Sequence, residues 1–271
     1  MAKADPMAIP YAWYVLSKDE VSGYMNKAMK TVLSVMLLVV FAVSCTKPDG
    51  PNDGGDNEQQ NDSVVDNSGT LNGHDYVDLG LPNGTLWATC NLGADTPEGY
   101  GDYFAWGETE PKELYDWKSY KYGIFFHERY ELNKYCTDSV YGLDGFVDNL
   151  TLLEPADDAA TTNWGVDWRM PTLTDWEELH EYTSNAWTTQ NGVNGWCFTA
   201  SNGNSIFLPA AGYWWDGEFN CADLGVYWSA TLNTDYPNRA WSFHFGMDNG
   251  HICGSSDRNR GQTVRAVCSK K

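Results

Sequence analysis

Short runs in which apolar and polar residues alternate are the feature that most limits what this chain can fold into. Trp241, Phe243 and Phe245 would occupy one face of an extended strand, and Ser242 and His244 the other. Successive side chains of a strand point to opposite faces, so this run predicts a strand with one buried face. Similar runs recur along the chain, which predicts a domain built mainly of short antiparallel strands.

Turn-forming and aromatic residues place the other strands. Residues 72–80 predict a turn that leads into a first strand, and residues 101–108 predict an aromatic strand that ends at a glycine. Asn249-Gly250 is a strong hairpin-turn signal. The remaining segments predicted as strands are 85–90 (half-buried), 204–213, 227–231 and 263–267, the last of which closes the sheet.

One stretch has a clear helical period. Trp176 and Leu179 lie three residues apart, and Thr174 with Glu177 fits a capping box. These residues predict one amphipathic helix near 174–184, the longest of the domain. The predicted fold class is therefore α+β: mostly antiparallel β, with one main helix and many loops.

An apolar run over residues 31–44 ends at Cys45. The run has about 14 residues, whereas a membrane-spanning helix needs about 20, so it predicts the hydrophobic part of a signal peptide. The small residue Ser44 is typical of a lipoprotein signal and predicts lipidation of Cys45; a plain secretory signal or a short membrane anchor is the alternative. We interpret residues 1–44 as a signal region and residues 1–24 as an over-extended gene start.

Residues 45–68 and 69–271 differ sharply in composition. The first segment is rich in Asp, Asn and Gly and buries too little surface to offset its conformational entropy, so we expect a disordered, lipidated tether. The second has about 200 residues, enough for one globular domain with its own core. We expect the domain to be held at a membrane by the lipid anchor alone.

The chain has a net charge of -20 at pH 7. Binding to nucleic acid relies on Lys and Arg that neutralise phosphates, so this charge argues against nucleic acid as a partner. It also disfavours adsorption to anionic lipid. We interpret the acidity as a means of keeping a surface protein soluble.

Six cysteines follow Cys45. An even number in an exported domain permits up to three disulfides, and we expect at least one; buried thiols are the alternative. Their gaps are wide and no Cys-x-x-Cys occurs, which argues against a zinc site. The six are Cys90, Cys136, Cys197, Cys221, Cys253 and Cys268.

Several motifs follow one another in an order typical of a known family. They are Tyr-Val-Asp-Leu-Gly-Leu-Pro-Asn-Gly-Thr-Leu-Trp-Ala-Thr-Cys-Asn-Leu-Gly-Ala (76–94), Gly-Asp-Tyr-Phe-Ala-Trp-Gly-Glu-Thr (101–109), Trp-Arg-Met-Pro-Thr (168–172), Ile-Phe-Leu-Pro-Ala-Ala-Gly-Tyr (206–213), Tyr-Trp-Ser-Ala-Thr (227–231) and Gly-Gln-Thr-Val-Arg-Ala-Val (261–267). Over nearly all of 72–268 the chain resembles the Fibrobacter succinogenes major paralogous domain family, common in surface lipoproteins of the Bacteroidetes. That family looks related to the C-type-lectin-like fold shared by formylglycine-generating enzymes, which implies such a domain at 69–271.

The resemblance also implies a location. The acid-rich residues after Cys45 are similar to the signal that sends Bacteroidetes lipoproteins to the outer face of the outer membrane. This implies a lipid-anchored protein of the outer membrane that faces the cell surface. A tether that faces the periplasm is the alternative.

The resemblance implies non-catalytic recognition or adhesion, with a protein or glycan as ligand. In lectin-like proteins diversified by retroelements, the last part of the domain carries the variable ligand face, and residues 232–260 here alternate aromatic residues with Asn, Asp, Ser and His. This implies a diversified binding face; an ordinary polar hairpin is the alternative. Exposed tryptophans could anchor a ligand, and we expect at most one of Trp214 and Trp215 to be exposed. The candidate ligand-binding residues are Trp214, Trp215, Asn233, Asp235, Tyr236, Asn238, Ser242, His244, Asp248, His251, Ser255, Asp257 and Asn259.

A structural cell-surface component without a specific ligand and a polysaccharide-acting enzyme are the alternative functions. No Gly-x-Ser-x-Gly elbow occurs. Cys253 and Cys268 do not match the closely spaced pair of formylglycine-generating enzymes. Glycosidases use paired carboxylates, but Glu177 and Glu178 are adjacent on the predicted helix and point apart. We expect no catalytic residue and no cofactor.

The resemblance makes calcium the one metal to consider, because lectin-like folds often hold it. Asp157 and Asp158 could supply oxygen ligands for a structural calcium. The Glu-Pro-Asn and Trp-Asn-Asp signatures of sugar-binding C-type lectins are absent from the sequence. We therefore do not expect calcium-dependent sugar binding.

Overall fold

The computed structural model describes residues 68–126, 129–247 and 252–270. The predicted signal region, Cys45, the tether up to residue 67, Asp248, the Asn249-Gly250 turn and His251 lie outside the described residues. No helix in the described part is both long and apolar enough to cross a membrane.

Antiparallel strands form most of the described domain. The strands are β1 (Gly69–Leu71), β2 (His74–Val77), β3 (Thr85–Ala88), β4 (Gly123–Phe126), β5 (Arg129–Leu132), β6 (Trp168–Arg169), β7 (Thr183–Gln190), β8 (Val193–Ala200), β9 (Ser205–Pro209), β10 (Tyr213–Trp215), β11 (Glu218–Asn220), β12 (Leu224–Leu232), β13 (Arg239–Gly246), β14 (Ile252–Asp257) and β15 (Val267–Ser269). Their sheets, in spatial order, are β1-β2-β3-β15-β6, β7-β8-β9, β12-β13-β14, β4-β5 and β10-β11. Every pairing between these strands is antiparallel, so the prediction of a mostly antiparallel fold with few helices is confirmed.

Three hairpins close with the two-residue turn that suits the twist of antiparallel strands. Asn72-Gly73, Asn191-Gly192 and Asp216-Gly217 each have positive φ at both residues. This is the type I′ pattern, which Asn, Asp and Gly adopt with little steric strain. The third turn joins β10 to β11 and holds Trp215 at the end of β10.

Two α-helices are present in the described residues: α1 (Ala159–Trp164) and α2 (Leu173–Tyr182). Two short 3-10 turns lie at Leu143–Gly145 and Pro155–Asp157. The longer helix, α2, lies where the sequence predicts one.

The capping box of α2 differs from the predicted one. Thr172 is the N-cap, its side chain accepts from the backbone N–H of Asp175, and the Asp175 carboxylate accepts from the backbone N–H of Thr172 at 2.7 Å. The predicted box of Thr174 and Glu177 is wrong because the helix begins at Leu173, which places Thr174 inside the first turn, where its backbone is already helical.

Two apolar clusters cover opposite faces of the β12-β13-β14 sheet. Trp228 and Ala240 belong to one cluster. Phe243 and Phe245 belong to the other, together with Trp176 of α2. The sheet is therefore buried on both faces, whereas the alternation in its sequence predicts one buried face.

Two arginines are fully buried, with only neutral groups as hydrogen-bond acceptors. The acceptors of Arg258 are the hydroxyl of Tyr120 and the carbonyls of Lys134, Tyr135 and Pro237. Those of Arg265 are the side chain of Asn91 and the carbonyls of Ala88, Thr89 and Phe207. Because a buried guanidinium needs its donors satisfied, each arginine fixes the loops that supply these acceptors.

Three strand predictions need correction. Residues 101–108 form no strand; Phe104 makes a single bridge to Gln262, because its neighbour is a loop rather than a strand. The closing strand is β15 and begins at Val267, where the 263–267 prediction ends. In β3 all four residues are buried rather than every second one, because the five-stranded sheet is covered on both faces there.

All six cysteines in the described domain are thiols, so the expected disulfide is not formed. Three of them lie in strands of different sheets: Cys197 is in β8, Cys253 in β14 and Cys268 in β15.

Candidate functional site

The two segments proposed from the sequence as a ligand face lie side by side. The backbone of Trp214 in β10 exchanges two hydrogen bonds with Gly261: one of 2.8 Å from Trp214 N–H and one of 2.9 Å from Gly261 N–H. Gly261 follows the end of β14, so the tryptophan hairpin is attached to the segment that leaves the β13-β14 hairpin.

Arg260 is the centre of this junction. Its guanidinium carbon lies 5.1 Å from the ring centroid of Tyr213 and 5.3 Å from that of Trp215. Its Nη2 is 3.2 Å from Oδ2 of Asp257. Trp215 nevertheless remains 41% exposed. A guanidinium over an indole is an attractive cation–π arrangement, so Arg260 holds an exposed aromatic side chain in a defined position.

Asp257 connects a second arginine to this junction. Its Oδ1 accepts from Nε of Arg239 at 3.2 Å, and the two residues are opposite each other in the β13-β14 pairing. We call Tyr213, Trp215, Arg239, Asp257 and Arg260 the aromatic–arginine surface. It combines two cations, one anion and two aromatic rings.

A polar cluster lies within the same sheet. Nε2 of His244 is 2.7 Å from Oγ of Ser242 and 3.4 Å from Oγ of Ser256. Burial, and secondarily the positive charge of Arg260, lowers the pKa of His244 to about 4. The imidazole is therefore neutral at physiological pH, and the nearby positive charge belongs to Arg260. Ser242 is 1% exposed, so its hydroxyl is closed to solvent, whereas His244 is only partly buried.

The candidate ligand-binding residues that the structure describes, which exclude Asp248 and His251, fall into three groups. Those that are exposed are Trp215, Asp235 and Tyr236. Those that are partly buried are Trp214, Asn238, His244, Ser255 and Asp257. Those that are buried are Asn233, Ser242 and Asn259. The expectation that at most one of Trp214 and Trp215 is exposed is confirmed.

The three buried residues do not lie on an accessible face. The prediction that they bind a ligand, which was based on the alternation of aromatic and polar residues, is therefore corrected. Asn233 accepts from the backbone N–H groups of Asp235 and Tyr236 and closes a turn. Ser242 pairs directly with Trp228, so the two side chains lie on the same face of the sheet. The apolar cluster that contains Trp228 covers that face. Asn259 is 1% exposed.

The two carboxylates proposed for calcium are occupied by protein donors. Asp157 accepts from Lys134 at 2.6 Å, from Lys121 at 2.9 Å and from the hydroxyl of Tyr135 at 2.8 Å. Burial acts to raise the pKa of Asp157, but these donors outweigh it and hold the pKa well below its usual range. Asp158 caps α1 by accepting from Thr161 N–H. Both carboxylates therefore stabilise the fold.

A cleft lies beside the aromatic–arginine surface, on the other side of Trp214. Its cavity volume is about 360 Å³. The residues that line it are Gly101, Asp102, Tyr103, Pro111, Lys112, Glu113, Tyr115 and Trp214. Trp214 contributes to this cleft, whereas the adjacent Trp215 contributes to the aromatic–arginine surface.

Sequence reasoning missed the residues that organise both features. Arg260 lies one position beyond the predicted candidates, and Tyr103 lies in a segment predicted as a framework strand. A usable signal was present in Arg258-Asn259-Arg260: two arginines flank one residue in a domain rich in aromatic rings, to which guanidinium groups are attracted.

None of the protein-family models, curated proteins or solved structures compared with the chain matches it. The function is therefore inferred from the side chains of the aromatic–arginine surface and the cleft beside it.

Proposed function

We propose that this chain is a surface-anchored lipoprotein whose domain recognises a protein or glycan ligand without catalysis. The observation that carries the proposal is the exposed indole of Trp215, held by Arg260 on a tight hairpin. Trp, Tyr and Arg are the residues that most often dominate binding energy at interfaces. A side chain that is already fixed loses little conformational entropy on binding, so the aromatic–arginine surface is suited to contact a partner.

The proposal includes a C-type-lectin-like fold for the domain. Two of the motifs that carry the resemblance, Trp-Arg-Met-Pro-Thr (168–172) and Gly-Gln-Thr-Val-Arg-Ala-Val (261–267), are neighbours, because Arg169 of β6 pairs with Val267 of β15. Arg169 also forms an ion pair of 2.6 Å with Asp175 at the start of α2. These contacts join β6, α2 and β15 into one framework, which supports the proposed fold.

The proposal also includes the lipid anchor, which is inferred from the sequence alone. Lipidation of Cys45, a disordered tether and an outer-membrane location facing the cell surface would present the domain to its ligand. Contact with the membrane would be through the lipid, and the charge of the chain argues against nucleic acid as a partner.

Diversification of the ligand face is the last part of the proposal. Substitution of Asn233, Ser242 or Asn259 would disturb buried packing. The positions that can vary are therefore the accessible ones. Among the candidates these include Asp235, Tyr236 and Ser255.

Array screening with the full chain tests the proposal. The chain, purified in detergent, is applied to arrays of glycans and of cell-surface proteins, and each ligand found is measured again with Trp215→Ala and Arg260→Ala. We expect at least a tenfold loss of affinity, which is about 1.4 kcal/mol. Phe125→Ala is the matched control, because Phe125 is an exposed aromatic residue on β4, outside this surface.

Three outcomes would overturn the proposal. No ligand, or a ligand whose affinity is the same in all the variants, would favour a structural cell-surface component. Turnover of a bound glycan would favour a polysaccharide-acting enzyme.

A further inference from the structure

The cleft beside Trp214 is built around a corner of aromatic rings. The rings of Tyr103 and Trp214 are 6.5 Å apart and almost perpendicular, at 84°. Phe219, 38% exposed, extends the corner, with its ring 5.5 Å from that of Trp214. Two perpendicular rings offer one flat face and one wall, which together fit a small, flat and partly apolar ring.

Hydrogen bonds fix this corner in place. The hydroxyl of Tyr103 donates to the carbonyl of Ala211 at 2.5 Å. The hydroxyl of Tyr115 donates to the carbonyl of Tyr103 and accepts from the backbone N–H of Lys112. Burial raises the pKa of Tyr115 to about 12, so its hydroxyl stays protonated and keeps donating. The cleft is therefore largely preformed, as small-molecule sites usually are.

The charges at the rim of the cleft select against anions. Lys112 is committed to other partners, with an ion pair of 2.8 Å to Glu108 and a hydrogen bond of 3.0 Å to the carbonyl of Ser119. Asp102 and Glu113 are exposed carboxylates. Carboxylates accept hydrogen bonds from hydroxyl groups and repel other carboxylates, so the rim suits a neutral polyhydroxy ligand.

We propose that the cleft binds one neutral pyranose unit of a glycan, with an apolar sugar face on the aromatic corner and hydroxyl groups on Asp102 and Glu113. This inference rests on the proposed recognition function and narrows its ligand class. The volume of about 360 Å³ is near the lower end of ligand pockets, which suits one sugar ring rather than a folded partner.

Calorimetric titration of the full chain in detergent tests the inference. The probes are neutral oligomers of glucose, mannose and galactose, an oligomer of galacturonate, and oligolysine. We expect binding of at least one neutral oligomer, and at least tenfold weaker binding of the galacturonate oligomer. The corresponding free monosaccharide should compete with the oligomer, because a single ring is the unit recognised.

Variants assign the binding to the cleft. Trp214→Ala and the surface changes Asp102→Asn and Glu113→Gln should each weaken binding of the neutral oligomer at least fivefold. The two surface changes keep the test valid if Trp214→Ala fails to fold, and Glu218→Gln, on β11 outside the cleft, is the matched control. Binding of oligolysine alone, of no neutral oligomer, or of a neutral oligomer that the cleft variants bind equally well would overturn the inference. The broader recognition function would still stand if a ligand depends on Trp215 and Arg260.

Discussion

The guanidinium of Arg260 lies 5.3 Å from the ring of Trp215, across the boundary between two hairpins. One charged side chain thus joins the end of β10 to the segment that follows β14. The same charge lies close enough to His244 to lower its pKa, although burial is the larger cause. The aromatic–arginine surface and the partly buried His244 are therefore electrostatically coupled.

The pH dependence of stability should reveal this histidine. Its pKa is about 4 in the folded chain and about 6.5 when unfolded, so between these values the unfolded state binds a proton that the folded state does not. The free energy of unfolding should be highest above about pH 6.5 and fall by up to about 3 kcal/mol as the pH approaches 4. Equilibrium denaturation of the full chain across this range measures it. His244→Gln should flatten the profile more than His180→Gln, whose pKa is also lowered by burial; equal slopes in the two variants would contradict the assignment.

Two substitutions distinguish the observed capping box of α2 from the one predicted from the sequence. Thr172→Ala removes the N-cap acceptor of α2 and should lower the free energy of unfolding by about 1 kcal/mol. Thr174→Ala should change it by less than about 0.5 kcal/mol, because Thr174 is exposed and caps nothing. Equilibrium denaturation decides between them, and a larger effect at Thr174 would favour the box predicted from sequence.

Arg258 should not tolerate lysine. The change keeps the charge but loses the planar fork that reaches Tyr120 and three backbone carbonyls, so we expect a loss of about 3 kcal/mol in unfolding free energy. Arg239→Lys, at a side chain that is 41% exposed, should cost less than about 1 kcal/mol. Similar losses in the two variants would mean that the neutral acceptors around Arg258 contribute little.

Asp157 should matter for stability, and calcium should not. Asp157→Asn leaves Lys134 and Lys121 without their shared anion, and we expect a loss of about 2 to 4 kcal/mol. Glu154→Gln, at a half-exposed partner of Lys134, should have a much smaller effect. Thermal denaturation with added calcium or with a chelator should give the same midpoint, and a calcium-dependent midpoint would restore the proposal of a structural ion.

Sequence variation tests the diversified face. Deep sequencing of codons 220–268 in one clonal population should find substitutions at Asp235, Tyr236 and Ser255, and none above background at Ser242 or Asn259. Burial is the reason for the difference, because most replacements at a buried polar site destabilise the fold. No excess variation anywhere would indicate a fixed ligand, and equal variation at buried positions would mean that burial does not restrict it.

Local pattern was enough to predict the strands around Trp87, Phe207, Trp228 and Phe243, because periodicity and turn residues are local properties. It failed where a partner distant in sequence decides the outcome. Phe104 forms an isolated bridge because its neighbour is Gln262 in a loop, and Ser242 is buried because a second cluster covers its face.

The candidate site was predicted only in outline. The two segments were singled out, but their contact depends on the backbone pairing between Trp214 and Gly261, which no local pattern encodes. Arg260 was overlooked because a charged residue in a polar stretch predicts a solvated surface, and only the folded chain brings it over the rings of Tyr213 and Trp215.

The position of β15 has a consequence for how the chain acquires its fold. Val267 pairs with both Trp87 and Arg169, so the last strand in sequence lies inside the five-stranded sheet. That sheet stays divided until residues 267–269 are available, and contacts so distant in sequence make folding slow. A nascent chain would therefore complete this sheet last, and a truncation that removes residues 267–269 would leave β6 without the strand it pairs with.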